Sequence, residues 1–241
     1  MSFDRLAPHY RWMEWVLAGG KLQRCRTAFL DRVEGTRNAL IAGEGNGRFL
    51  AEWRRKQPWA RATVVDASAR MLGAARTRLE RQAIESERVQ FVHADLRDGA
   101  PEGGPFDLIV THFFLDCFPP GTLRELVERL ARAAAPEAAW LIADFQVPAG
   151  GPARWRARAI HALMCGFFRL ATRLPARCLT PPDAFLKDQG FELQERRTSE
   201  WGLLHTDLWK LRSVAEAASE PGRADLGMGA APGSDPAARL A

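Results

Sequence analysis

An apolar run, Ala39-Leu40-Ile41-Ala42, passes into Gly43-Glu44-Gly45-Asn46-Gly47, and a helical pattern opens at once with Arg48-Phe49-Leu50. This junction of strand, glycine turn and helix limits what the chain can fold into more than any other segment. Glycine at alternate positions allows backbone angles closed to other residues and lets a ligand approach the main chain. The helix that follows presents free N–H groups at its N-terminus. In an open parallel sheet such a junction lies beyond the carboxyl end of a strand, where these folds hold their ligands.

The same unit recurs along the chain. Ala62-Thr63-Val64-Val65 leads to Asp66 and a helix through Met71, Leu72, Ala75 and Leu79. Val89-Gln90-Phe91-Val92 is a third strand, Phe106 to Val110 a fourth, and Ala139 to Ala143 a fifth. A helix through Leu123, Leu126, Val127 and Leu130 joins the last two. Strands that are apolar on both faces and joined by helices predict a parallel sheet covered on both sides. Phe191 to Thr198 and Leu203 to Leu211, separated by Trp201-Gly202, read as a closing antiparallel pair. The expected fold class is therefore α/β, a doubly wound, mostly parallel seven-stranded sheet with an antiparallel closing hairpin.

One domain over 1–212 accounts for this pattern. Residues 1–35 read as an N-terminal helical cap and 152–188 as a helical insertion. The insertion holds a long helix from Ala153 to Leu174, ended by Pro175, and a short one after Pro181-Pro182. Residues 213–241, dominated by Ala, Gly, Pro, Ser and Asp, are expected to form a disordered tail.

With 241 residues, 46% of them hydrophobic, the chain can bury the core of one such domain. Cys25, Cys117, Cys165 and Cys178 are too scattered for a disulfide framework or a metal knuckle, which favours a reducing compartment. The opening MSFDRLAPHYRW lacks a signal-peptide pattern, and no stretch is apolar enough to span a membrane. A cytoplasmic protein is expected. The formal charge of +5 comes largely from arginines, among them Arg54, Arg55, Arg76, Arg78, Arg154, Arg156 and Arg158, which read as solvated helix faces. Without a basic block interleaved with aromatics, nucleic acid ranks low as a partner, and peripheral contact with an anionic membrane stays open.

The carboxylate of Asp66, at the end of the second strand, is placed to accept hydrogen bonds from ribose hydroxyls. Asp95 follows the third strand, where it could contact an adenine amino group. A turn or helix N-cap is the structural alternative for both. The dinucleotide pattern G-x-G-x-x-G would place Arg48 at its third glycine, where a side chain obstructs close helix–strand packing. No G-K-[ST] follows, so a P-loop is excluded. An adenosine cofactor without a pyrophosphate fits better, with a nicotinamide oxidoreductase as a weaker alternative.

From about Phe3 to Leu211 the chain resembles the class I S-adenosylmethionine-dependent methyltransferases of the small-molecule branch. The resemblance rests on Gly43-Glu44-Gly45-Asn46-Gly47, on Val65-Asp66-Ala67-Ser68-Ala69-Arg70-Met71-Leu72, and on Phe3-Asp4-Arg5-Leu6-Ala7-Pro8-His9-Tyr10. It implies S-adenosyl-L-methionine as cofactor, with Gly43, Gly45 and Gly47 at its methionine part. Asp66, with Ala67 and Met71, would hold the ribose side, and Asp95 with Leu96 the adenine. Tyr10 would cover the cofactor and Thr111 would line its site. One departure is clear: the family's acidic residue two places before the first glycine is Ile41 here, and Glu44 inside the loop is a candidate for a polar role in its stead.

The fourth strand leads into Thr111-His112-Phe113-Phe114-Leu115-Asp116-Cys117-Phe118-Pro119, which the resemblance places beside the reacting methyl group. It lacks the Asn/Asp-Pro-Pro-aromatic order of DNA amino methyltransferases and the Pro-Cys setting of RNA cytosine enzymes. His112 is the candidate proton acceptor and Asp116 its partner or a substrate contact. Packing is the alternative for His112, and capping of the next helix for Asp116. Phe113, Phe114, Phe118, Phe145, Trp155, Phe167 and Phe168 are candidates to wall an apolar acceptor site or to pack the insertion on the sheet. His161 and His205 carry no assigned role, and the five histidines show no ligand spacing, so no metal site is expected. The implied activity is methyl transfer to O, C or N of a small, apolar or aromatic acceptor. A non-catalytic cofactor-binding protein and an RNA or protein methyltransferase remain the alternatives, and the oligomeric state is open.

Overall fold

The computed structural model describes residues 20–148, 150–172 and 179–213. Seven strands form one sheet: β1 (Asn38–Ala42), β2 (Arg61–Asp66), β3 (Val89–His93), β4 (Phe106–His112), β5 (Ala134–Phe145), β6 (Phe191–Ser199) and β7 (Leu204–Leu211). Their order is β3-β2-β1-β4-β5-β7-β6. The first five are parallel, and β7 lies antiparallel between β5 and β6. This is the expected doubly wound sheet with its closing hairpin.

Among the described residues six α-helices accompany the sheet: α1 (Lys21–Thr27), α2 (Arg48–Lys56), α3 (Ala69–Arg81), α4 (Pro120–Arg132), α5 (Gly151–Thr172) and α6 (Asp183–Asp188). Side chains alternate across each strand, so two cores form. Ala39, Ile41, Val64 and Val110 face Phe49, Leu50, Trp53 and Leu72 on one side. Leu40, Ala42, Val65 and Ile109 face Leu123, Leu126, Val127 and Leu130 on the other. Ile41, at the position where the family carries an acid, is a fully buried member of the first core.

Helix starts follow local chemistry. The Ser68 Oγ accepts the Met71 N–H at 3.2 Å and caps α3. Pro120 opens α4, where its missing N–H costs nothing. Two sequence expectations need correction. Arg54 is not on a solvated face: it is buried, donating to the carbonyls of Gln57, Pro58 and Ala60 at 3.1, 2.9 and 2.7 Å. Its guanidinium ties off the turn after α2, where several carbonyls converge. Trp155 neither walls a site nor packs on the sheet; it is 73% exposed. The buried residue of that turn is Ala157, so the helix meets the sheet on a different stripe.

Tyr10 and the rest of 1–19, the tail 214–241 and the predicted helix end at Leu174-Pro175 lie outside the described residues. Among the described residues no helix is long and apolar enough to cross a membrane.

Candidate functional site

Gly43, Gly45 and Gly47 all take positive φ, 65°, 68° and 78°, which explains glycine at each turn position. Their surroundings separate two kinds of need. A Cβ on Gly43 would fall 2.3 Å from Phe114 Cδ2, and one on Gly47 would fall 2.8 Å from the Ala75 Cα. Those two glycines let neighbouring elements close on the loop. Among the described residues a Cβ on Gly45 would meet nothing within 4 Å, so on these residues the open side of the loop is at its centre. This is a cradle of the kind a ligand approaching main-chain N–H groups requires.

Asp66 is joined to that loop directly. Its Oδ2 accepts the Gly45 N–H at 3.1 Å and its Oδ1 accepts the Ser68 N–H at 2.8 Å. The carboxylate thus ties the end of β2 to the glycine turn, in an Asx-type turn before α3. Glu44 points inward. Its Oε1 accepts the Leu50 N–H at 3.0 Å, serving the N-terminus of α2, whose N-cap Gly47 has no side chain to do so. Burial dominates and raises the Glu44 pKa to about 7, with the nearby Asp66 charge adding to the rise.

The remaining candidates for the cofactor border this turn in different ways. Asp95 is held by Arg97, whose Nε lies 2.9 and 3.0 Å from its two oxygens, and that hydrogen bond keeps the carboxyl below its usual range. Leu96 is buried, and its carbonyl accepts from Arg129. The Ala67 carbonyl lies 3.1 Å from His93 Nε2. Met71 is buried in the first turn of α3. The Thr111 side chain turns into the sheet core, where its Oγ1 accepts from Trp140 Nε1 at 2.9 Å.

His112 and Asp116 lie in contrasting surroundings. His112 is buried, with neither ring nitrogen hydrogen-bonded among the described residues, and sits edge-on to Phe49 with ring centroids 4.8 Å apart. Burial and then the charge of Arg26 hold its pKa well below the ordinary value, so the ring is neutral. Asp116 lies in the short turn Leu115–Cys117, half-buried, and does not cap α4, whose N-cap is Pro119. Its surroundings raise its pKa to about 6, chiefly by desolvation, with His205 pulling the other way.

A second carboxylate meets this group that the sequence reading had not singled out. Asp144, near the end of β5, is buried; its Oδ1 accepts the Phe114 N–H at 3.2 Å and its Oδ2 has no hydrogen-bond partner among the described residues. Burial, and then the neighbouring Asp116, push its pKa well up. Across the antiparallel ladder Asp144 faces His205 of β7. The His205 Nδ1 lies 3.1 Å from Asp207 Oδ1, and Arg196 Nε donates to the same Asp207 oxygen at 2.7 Å. Polar groups close enough to feel one another's charge therefore lie between the loop after β4 and the closing hairpin. The one available signal was the period of β7: His205, Asp207 and Trp209 share a face of a strand that reads as apolar, so two polar groups sat where core was due.

Residues 39–137 match a family model described as a methyltransferase domain. No curated protein is found to be similar in sequence. Among solved structures, an O-methyltransferase family protein from Burkholderia thailandensis superposes with a TM-score of 0.67 at 19% identity, covering 88% of this chain and 61% of that one. The mitomycin 7-O-methyltransferase MmcR gives 0.63 at 18% identity, covering 88% and 61%. The N-methyltransferase NodS from Bradyrhizobium japonicum gives 0.55 at 17% identity, covering 79% of this chain and 96% of its own. The chain thus spans about three-fifths of the length of the first two, and at these identities the likeness is one of fold. The sequence match to a methyltransferase domain is confined to 39–137, and the strand order and glycine turn of the whole sheet agree with the fold of the solved structures.

Proposed function

We propose that the chain is an S-adenosylmethionine-dependent methyltransferase acting on a small, apolar or aromatic acceptor, with an acceptor hydroxyl as the favoured methylation site. The observation that carries the cofactor assignment is the open side of Gly45 beside the carboxylate of Asp66. Gly43, Gly45, Gly47, Glu44 and Asp66 would hold the methionine and ribose parts, and Asp95 with Leu96 would border the adenine. When bound, S-adenosylmethionine supplies an electrophilic methyl carbon.

A hydroxyl acceptor must lose a proton, and Asp116 is the group suited to take it. A carboxyl near pH 6 is ionised at neutral pH yet more basic than an ordinary one. Asp144 acts behind it: burial, and then the charge of Asp116, keep Asp144 protonated, and its Oδ1 fixes the backbone of the loop that carries Asp116. His112 has no partner for a transferred proton and serves as wall. Phe113 and Phe145, with centroids 5.4 Å apart, and His161, 5.7 Å from Phe145, offer an aromatic surface close to these groups. The hydroxyl-methylating relatives agree with this reading, and the N-methyltransferase among them marks nitrogen as the next acceptor to try.

Calorimetric titration with S-adenosylmethionine, S-adenosylhomocysteine and NADH tests the cofactor. Saturable binding of the first two alone is expected; binding of NADH alone would overturn the reading. Transfer of labelled methyl to a panel of phenolic, amine and carbon acceptors then tests the reaction. Labelling of RNA or protein but of no small molecule would replace the acceptor class.

A further inference from the structure

The positive charge of this chain is concentrated, not spread. From Phe145 to Pro182 there is no Asp or Glu, while Arg154, Arg156, Arg158, Arg169, Arg173 and Arg177 all fall in that stretch. Six charges there exceed the +5 of the whole chain, so the rest is slightly negative. The first turns of α5 carry three of these arginines and no acid. A helix N-terminus favours anions, so arginine there is unfavourable to the helix itself. An external anion would compensate it.

The same turns expose aromatic surface. Ala157 is buried and His161 meets Phe145, which gives α5 an inner stripe; Arg154, Trp155 and Arg158 stand outside it. Trp155 is 73% exposed with the Arg158 guanidinium 5.9 Å from its ring. The next residue, Arg156, lies 5.8 Å from the ring of Trp201, itself 78% exposed, and donates to the Glu200 carbonyl at 3.2 Å. Trp201 holds φ at 63°, a costly conformation for a tryptophan, in the turn Glu200–Gly202. The Glu200 carboxylate is paired with Lys21, which removes the negative charge nearest this turn. Two tryptophans and three arginines thus form one outward patch on neighbouring elements.

We propose that this patch docks the protein on an anionic phospholipid surface. Tryptophan is suited to the headgroup boundary, where its ring is half in apolar and half in polar surroundings. Arginines beside it are drawn by anionic headgroups, and the two contributions together set peripheral binding. A bilayer accounts for both features, whereas RNA would use the arginines and leave flat stacking partners to be found for two separate tryptophans. Docking on this face would hold α5, and the aromatic surface it covers at Phe145, next to a membrane from which apolar acceptors partition. The patch does not depend on the methyl-transfer reading.

Co-sedimentation of the full chain with vesicles tests this. Binding to phosphatidylcholine vesicles containing phosphatidylglycerol is expected, with little to pure phosphatidylcholine and a loss as salt rises. At about fivefold per basic residue, R154Q/R156Q/R158Q should lose about 100-fold in partition, and the charge reversal R154E/R156E/R158E more than that. The pair W155S/W201N should lose about tenfold. S-adenosylhomocysteine affinity reports whether each variant is folded, and wild-type salt dependence stands even where one is not. Equal binding to neutral vesicles, unchanged partition of folded variants, or RNA binding without vesicle binding would overturn the proposal.

Discussion

The Cα of Ala75 lies 2.8 Å from where a Cβ on Gly47 would stand, so α3 and the glycine turn meet backbone to backbone. Gly47→Ala should therefore cost about 3 kcal/mol through overpacking together with the strain of φ at 78°. Gly45→Ala, with open space ahead of it, should cost only about 1 kcal/mol of strain. Urea denaturation of both variants checks the contrast, and equal losses would refute it.

Asp66 accepts two main-chain N–H groups, one from the turn and one from the start of α3. Asp66→Ala should weaken S-adenosylhomocysteine binding at least tenfold, about 1.4 kcal/mol. Calorimetry gives the number directly. Affinity within twofold of the wild type would remove Asp66 from the site.

Glu44 has its pKa raised by burial from 4.5 to about 7. A raised folded-state pKa means stability that is fully present below 4.5 and lost as pH rises through 7, because the buried carboxyl must then ionise. Glu44→Gln keeps an oxygen for the Leu50 N–H and never ionises. Its unfolding free energy should match the wild type near pH 4.5 and exceed it above pH 7, by an amount on the order of 3 kcal/mol. A constant difference across that range would refute the account.

With Asp116 as proton acceptor, kcat/KM for a hydroxyl acceptor should fall as pH drops below about 6. Asp116→Asn should lower kcat by about 10²-fold or more at constant cofactor affinity. Asp144→Asn leaves a neutral side chain that still accepts the Phe114 N–H, so the position of the profile should hold. His112→Gln should leave the position of the profile in place. A profile that moves with His112 and ignores Asp116 would exchange their roles.

The sheet was readable because its strands are short apolar runs set between helical periods, and the glycine turn because positive φ leaves glycine few substitutes. Asp66 was readable too: its place at the end of β2 follows from the parallel register alone. The polar group around Asp116 was only half readable. Asp144 and His205 meet through an antiparallel pairing of strands far apart in sequence, and nothing local to either residue signals the other. Glu44 was noted as a substitute acid, but its inward course depends on Gly47 leaving the α2 terminus uncapped. Arg54 misled because an arginine on a helix is ordinarily solvated; the convergence of carbonyls that holds it is a property of the folded turn.

The last strand in sequence is not the last in space. β7 sits between β5 and β6, so as the chain leaves the ribosome β5 stays an open edge until Leu204–Leu211 arrives. The glycine turn, Asp66 and both flanking helices can assemble before that moment. Asp144 cannot be covered until His205 and Asp207 are laid beside it. A nascent domain could therefore capture its cofactor while its acid–base group is still wet and unformed, and reactivity would be the last property the chain acquires.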